Sequence, residues 1–212
     1  MLDNVDSCES CDLRKSCKSP VSGEGSHEAQ VMFLGEAPGA EEDEQSRPFV
    51  GKAGKILDKA IDFAGLTRED VYITNLVKCR PETNRTPEKN EILICAPWFI
   101  EELFVIKPKI LVTLGKVASE YVVSQEVKIT EHHGDTQDLM IIKLTESMQE
   151  KEIVSMATGE FSDWTEHGHM MKWIPFLHPA WLLRNYSEEK KEEYKKGLEA
   201  LKEAVDNLEE KA

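Results

Sequence analysis

Four consecutive apolar residues, Val31-Met32-Phe33-Leu34, run straight into Gly35-Glu36-Ala37-Pro38-Gly39. An unbroken apolar run this short reads as a strand buried on both faces, the kind found in parallel sheets. Glycine and proline stop the strand and turn the chain, leaving backbone N–H groups free to face a ligand. A second turn, Arg47-Pro48-Phe49-Val50-Gly51-Lys52-Ala53-Gly54, follows an acidic loop and enters a helical pattern from Ala53 to Ala64. A strand, a Gly-rich turn and a helix in that order mark the ligand edge of an α/β protein. The spacing is neither the dinucleotide fingerprint nor a P-loop, which needs a Lys-Ser/Thr pair.

The same grammar repeats along the chain. Strands are expected at 31–35, 71–75, 110–115, 139–142 and 173–177, and helices at 53–65, 88–105, 116–124 and from 187 to the end. Thr86 is the expected N-cap and Pro87 the expected first residue of the second long helix. Four strands end in polar turns: Gly35-Glu36, Thr74-Asn75, Leu114-Gly115 and Leu177-His178-Pro179. In a parallel sheet these ends form one edge, so Glu36, Asn75 and His178 converge although they lie far apart in sequence. The 212 residues suit one domain, with an N-terminal segment 1–27, a segment 135–172 expected as an insertion, and a C-terminal helix 187–212.

Five cysteines, Cys8, Cys11, Cys17, Cys79 and Cys95, are an odd count that points away from a disulfide framework and towards the cytoplasm. No apolar run approaches the roughly 18 residues of a membrane span, and the acidic start lacks a signal-peptide core. Cys8-x-x-Cys11 sits in a polar segment with no core to occupy, so it reads as half of a four-thiolate site with Cys79 and Cys95. Zinc and an iron–sulfur cluster both suit four thiolates. Cys17 reads as a small buried hydrophobe. The net charge of −14, much of it between Glu188 and Glu210, taken alone argues against a nucleic-acid partner. A local basic groove can coexist with that acidic, solvated surface.

Four ordered motifs then carry a resemblance. Gly35 to Gly39, Arg47 to Gly54, Thr74-Asn75-Leu76-Val77-Lys78-Cys79-Arg80-Pro81, and His178-Pro179-Ala180-Trp181-Leu182-Leu183-Arg184, together with Cys8-x-x-Cys11, resemble family 4 uracil-DNA glycosylases from about Cys8 to Tyr186. The resemblance implies a three-layer α/β/α sandwich around a four-stranded parallel sheet. It implies a [4Fe–4S] cluster on Cys8, Cys11, Cys79 and Cys95. It implies hydrolysis of the N-glycosidic bond of deoxyuridine in single- or double-stranded DNA, by a monomer that initiates base-excision repair.

Roles follow from that resemblance. Ala37, Phe49, Asn75 and His178 would hold the flipped uracil. Phe49 offers a π-face. The amide of Asn75 would pair with O4 and N3–H, a pattern that cytosine reverses. His178 would donate to O2 as negative charge builds on the leaving base. Glu36, Glu42 and Asn84 are the expected water-handling residues. Lys52 and Arg184 would meet phosphates, and Leu183 would fill the gap left by the base. Asp43 is a third candidate carboxylate, less favoured than Glu36 and Glu42, and most of the run Glu41-Glu42-Asp43-Glu44 is expected to be solvated.

The chain departs from the family pattern in two places. Residues 135–172 match it poorly, and His132, His133, His167 and His169 are expected to line a surface insertion. His132-His133-Gly134 stands where the family often has Arg before a glycine. A covalently acting branch of the superfamily uses a histidine in an inserted basic loop; Cys79 to Thr86 is short and has none, so ordinary turnover is expected. A non-catalytic DNA-binding protein on the same fold, or a glycosylase for another deaminated base such as hypoxanthine, are the competing expectations.

Overall fold

The computed structural model describes residues 5–143, 153–157, 168–184 and 187–210. Its strands are β1 (Glu24–Gly25), β2 (Val31–Gly35), β3 (Val71–Asn75), β4 (Ile110–Leu114), β5 (Gln137–Lys143), β6 (Ile153–Ala157) and β7 (Gly168–Phe176). Its α-helices are α1 (Leu13–Ser16), α2 (Ala40–Gln45), α3 (Lys52–Phe63), α4 (Lys89–Ile106), α5 (Lys116–Val123), α6 (Ile129–His132), α7 (Pro179–Arg184) and α8 (Glu188–Glu209). None of the described helices is long and apolar enough to cross a membrane.

The strands form one seven-stranded sheet in the order β1-β3-β2-β4-β7-β5-β6. Its centre, β3-β2-β4-β7, is parallel throughout. β1 adds antiparallel at one edge, and β5 and β6 add antiparallel at the other. The expected four parallel strands stand at the centre, and three antiparallel strands that were not expected as edges extend them to a larger mixed sheet. The extra strands come from short or poorly patterned segments whose pairing partners are remote in sequence.

Alternation along the strands divides the core. Met32 and Leu34 pack with Phe99 and Leu103 of α4 and Ala118 and Val122 of α5. Val31 and Phe33 pack with Leu57 and Ile61 of α3 and Leu201 and Val205 of α8. Helices therefore cover both faces, because each β2 side chain faces the opposite side from its neighbour. The chain passes from β2 to β3 on one side, then crosses back over β2 through α4 to β4 on the other. The sheet accordingly changes direction beside β2, which opens a crevice at the carboxyl ends of its strands.

Several local expectations change. α4 starts at Lys89, with Glu88 as N-cap and the Glu91 carboxylate accepting the Glu88 N–H at 2.7 Å. Glu88 takes the N-cap position that Thr86 was expected to fill, and Glu91, three residues on, reaches back to its N–H. Residues 40–45, expected as loop, are helical. Segment 135–172 supplies β5, β6 and the first residues of β7; His167 lies outside the described residues.

His133, expected at a surface, is only 2% exposed. Its Nδ1 accepts the Leu177 N–H at 3.0 Å and its Nε2 lies 3.1 Å from the Tyr194 carbonyl oxygen. Two filled ring nitrogens allow a neutral imidazole to replace water inside the core. α8 approaches it closely: a Cβ on Gly197 would stand 2.1 Å from the His133 ring.

Candidate active site and cysteine cavity

The crevice is a pocket of about 380 Å³, within the size range of small-molecule sites. Each element delivers a side chain to it. β2 ends in Glu36 and Ala37, β3 in Asn75, and β7 leads through Leu177 to His178. The turn before α3 brings Phe49 and Lys52, the loop after Cys79 brings Asn84, and α7 brings Leu183 and Arg184. All the favoured residues outside the cysteine set, Glu42 among them, thus line one pocket. Pro81, Arg85 and Ala180 also line it, and the sequence reading assigned them no role. Arg85 could have been found as a second cation in the Asn84-Arg85-Thr86-Pro87 motif; its guanidinium is held by Glu91 at 2.6 Å.

The floor is shaped by absent atoms. A Cβ on Gly35 would sit 2.3 Å from Asn75 Oδ1 and 2.5 Å from Phe49 Cζ. Only glycine lets the amide and the ring close over the end of β2. Asn75 is 2% exposed, and its Oδ1 has no hydrogen-bond partner. A buried acceptor left unmatched costs about 1–3 kcal/mol, so this atom is set up for a donor that arrives from outside.

His178 is oriented by its own turn. Its Nδ1 accepts the Ala180 N–H at 3.1 Å, which leaves Nε2 to carry the proton. Burial, with a smaller push from Arg184, lowers its pKa to about 4. The ring is therefore neutral at ordinary pH and is a donor through Nε2. Its centroid is 6.0 Å from that of Phe49.

The two candidate carboxylates differ in what they touch. Glu42 accepts three backbone N–H groups: Gly39 at 3.1 Å, Val50 at 3.0 Å and Gly51 at 2.8 Å. It closes α2 back on the chain and clamps the turn that carries Phe49. Asp43, the third candidate, is buried and also committed: it accepts the Lys18 N–H at 2.9 Å and does not line the pocket. Glu36 is less engaged. Burial raises its pKa, opposed by a hydrogen bond from Thr86 and by the charge of Arg184. Asn84 Oδ1 accepts from Arg80 Nε at 2.7 Å, leaving its amide N–H₂ as the free end.

Lys52 and Arg184 put positive charge at the pocket rim of a chain whose formal charge is −14. Leu183 of α7 is 47% exposed there.

Cys8, Cys11, Cys79 and Cys95 line one small second cavity with Val5, Val77, Ile94 and Lys78. The Lys78 N–H donates to Cys95 Sγ at 3.2 Å. Burial raises the Cys79 thiol and lifts Cys95 to about 11. Among the described residues no three His, Cys, Asp or Glu are drawn together as ligands of a single metal ion. Four sulfurs with no carboxylate or imidazole, in an apolar-walled cavity with an amide donor, suit the cluster's donor chemistry. Cys17 is buried beside them with Leu13 and Val77, the packing expected of it.

A family model described as the uracil DNA glycosylase superfamily matches residues 22–202. A type-4 uracil-DNA glycosylase of Saccharolobus solfataricus is 40% identical over 204 residues, 95% of this chain and 85% of that protein. Type-4 enzymes of Archaeoglobus fulgidus and Thermotoga maritima are each 36% identical over 188 residues, 83% of each relative. The aligned span takes in 89% and 88% of this chain, respectively.

Proposed function

The chain belongs to the uracil-DNA glycosylase superfamily and its type-4 group, and from that premise we propose that it hydrolyses the N-glycosidic bond of deoxyuridine in DNA. Uracil is released and an abasic site remains, the first step of base-excision repair. The unpartnered Oδ1 of Asn75 carries this reading. It accepts N3–H of uracil while the same amide donates to O4. Cytosine has an acceptor at N3 and an amino donor at position 4, so both bonds would be lost.

The remaining residues then act as follows. The target nucleotide leaves the stack and its base enters between Phe49 and the end of β2, beside Ala37. The C1′–N1 bond breaks and its electron pair departs with the base. His178 Nε2–H stabilises the charge that gathers on O2, and a neutral imidazole suffices. Glu36, ionised, orients water and faces the developing sugar cation; Asn84 offers its amide to the same water. The water adds to C1′ and gives its proton to the Glu36 carboxylate, which passes it to solvent, and the uracil anion takes up a proton from solvent. Glu42 acts by holding the turn rather than by touching water. Lys52 and Arg184 meet phosphates, and Leu183 occupies the vacated stack.

A [4Fe–4S] cluster on Cys8, Cys11, Cys79 and Cys95 would tie the N-terminal segment to the loop after β3 and to α4. It would supply a structural cross-link and no step of the hydrolysis. Purified protein is expected to be brown, with matching iron and acid-labile sulfide; a colourless protein holding stoichiometric zinc would refute the assignment.

The activity is tested on single- and double-stranded uracil oligonucleotides followed by alkaline cleavage of abasic sites. Release of uracil but not of hypoxanthine is expected. Binding without scission at any salt concentration would instead support a non-catalytic DNA-binding protein.

Single-turnover kinetics should separate the two carboxylates. Glu36→Gln is expected to cost about 10²–10⁴-fold. In the wild type, the rate falls as pH drops through the Glu36 pKa. That limb lies above the ordinary glutamate value because burial raises the group. His178, titrating at about 4, adds no limb near pH 6–7, where an unperturbed histidine would. Glu36→Gln should lack the acid limb. Glu42→Gln should keep it and lose only about tenfold, the worth of one charge-assisted backbone bond. Equal losses with the limb intact in both would overturn the assignment.

A further inference from the structure

We propose that Arg68 is the positioning residue for the base-stacking platform, a role resting on the reading of Phe49 given above. Arg68 lies in the loop between α3 and β3 and is not part of the pocket wall. Its two terminal nitrogens reach two successive carbonyls of the platform turn. Nη2 donates to the Pro48 oxygen at 2.8 Å and Nη1 to the Phe49 oxygen at 3.0 Å. Nη1 also donates to Asp58 Oδ1 at 2.8 Å, which fixes the guanidinium against α3.

The turn needs such a hold. Phe49 has φ of +52°, a left-handed conformation that a bulky residue adopts only when its surroundings impose it. The Phe49 carbonyl is pressed on α3 so closely that a Cβ on Gly54 would stand 1.9 Å from its oxygen. The grip comes from three sides. Glu42 takes the N–H groups of Val50 and Gly51. Glu24 of β1 holds Arg47 through two bonds, at 2.6 and 2.7 Å. Arg68 takes the two carbonyls between these holds. The same Glu24 carboxylate lies 4.0 Å from Arg68, whose close ion partner is Asp58 at 2.8 Å, so two acids serve the two arginines. Two parallel donors on a rigid plane match two adjacent carbonyls, which a single ammonium cannot do. Arg68 thereby sets where the Phe49 ring lies, and so the width of the slot that receives the base.

A double-mutant cycle tests this, with single-turnover uracil release and calorimetric binding of free uracil as the two readouts. Arg68→Met is expected to slow release by about tenfold to a hundredfold and to weaken uracil binding in step. Phe49→Ala should cost at least as much. Adding Arg68→Met to Phe49→Ala should change either readout by less than about twofold, because the ring through which Arg68 acts is gone. Arg68→Lys should recover only part of the loss, and it carries the test if the methionine variant does not fold. Additive losses, or an unchanged Arg68→Lys, overturn the proposal while leaving the glycosylase reading intact. A wild type that binds uracil non-additively in the cycle but releases none would overturn the glycosylase reading and support Arg68. A wild type that neither binds nor releases uracil would sink both.

Discussion

Asn75→Asp is expected to lower kcat/KM for uracil-containing DNA by about a thousandfold near neutral pH. The site is 2% exposed, and an ionised carboxylate there offers only acceptors. One oxygen would still take N3–H, but the other would face uracil O4, acceptor against acceptor, inside a pocket with little screening. Burial also raises the pKa of such a carboxyl. Once protonated, it offers a carbonyl acceptor and an O–H donor in the pattern of the lost amide. The ratio of mutant to wild-type rate should therefore rise as pH falls, although both rates fall with Glu36. Asn75→Ala lacks both groups and should lose about 30- to 300-fold, with a ratio that does not change with pH. Competition assays with uracil and cytosine oligonucleotides and a pH series from 5 to 8 would check this. A pH-independent ratio for the aspartate variant would contradict the pairing.

The largest stability effect is expected at Glu102. Lys78 and Glu102 form an ion pair of 2.6 Å whose side chains are 1% and 8% exposed. The Glu102 carboxylate also accepts from Thr74 Oγ1 at 2.7 Å and from the Gly23 N–H at 3.1 Å. Lys78 Nζ lies 2.6 Å from Thr74 Oγ1. Glu102→Ala leaves the ammonium buried with one hydroxyl for company and should cost about 3–5 kcal/mol. At about 2–4 °C per kcal/mol for a chain of this length, Tm should fall by roughly 6–20 °C. Replacing both partners, Lys78→Met with Glu102→Met, should cost much less than either single change, because no lone charge remains. Denaturant unfolding of the three variants checks the order.

The location gives that pair wider consequence. Thr74 precedes Asn75, Lys78 precedes Cys79, and Gly23 belongs to the segment that follows the first cysteines. One buried carboxylate therefore joins the strand that ends in Asn75, the loop that carries three of the cavity's residues and the N-terminal segment. Uracil release and visible absorbance should decline together in Glu102→Ala, and both should be largely retained in the doubly substituted chain.

Much of the site was legible because its signals are local. A run such as Val31 to Leu34 can be buried only if both faces are covered, which demands helices on either side. A polar turn after each such run then falls at one sheet edge by topology alone. Glu36, Asn75 and His178 were placed together on that argument, and the pocket contains all three. The ordered motifs supplied the chemistry. The edge strands were less legible: β1 has two residues and β6 lies in a poorly patterned stretch, and ladders between remote segments leave no periodic mark.

What the sequence by itself determined is the parallel α/β centre, the strand ends that carry the site, and the residue types able to recognise a pyrimidine edge. Tertiary structure alone decided the roles of chemically identical neighbours. Glu36 and Glu42 are the same residue six positions apart, yet only Glu42 meets three converging backbone N–H groups. His132 and His133 are adjacent, yet only the second turns into the core, between β7 and α8. Glu101 and Glu102 are adjacent, yet only Glu102 meets Lys78. The physical reason is common to all three. Side-chain type and period report which face of an element is apolar, whereas a buried polar group depends on a particular partner brought within about 3 Å by another element. That partner is set by how helices, turns and strands pack, and no local pattern encodes it.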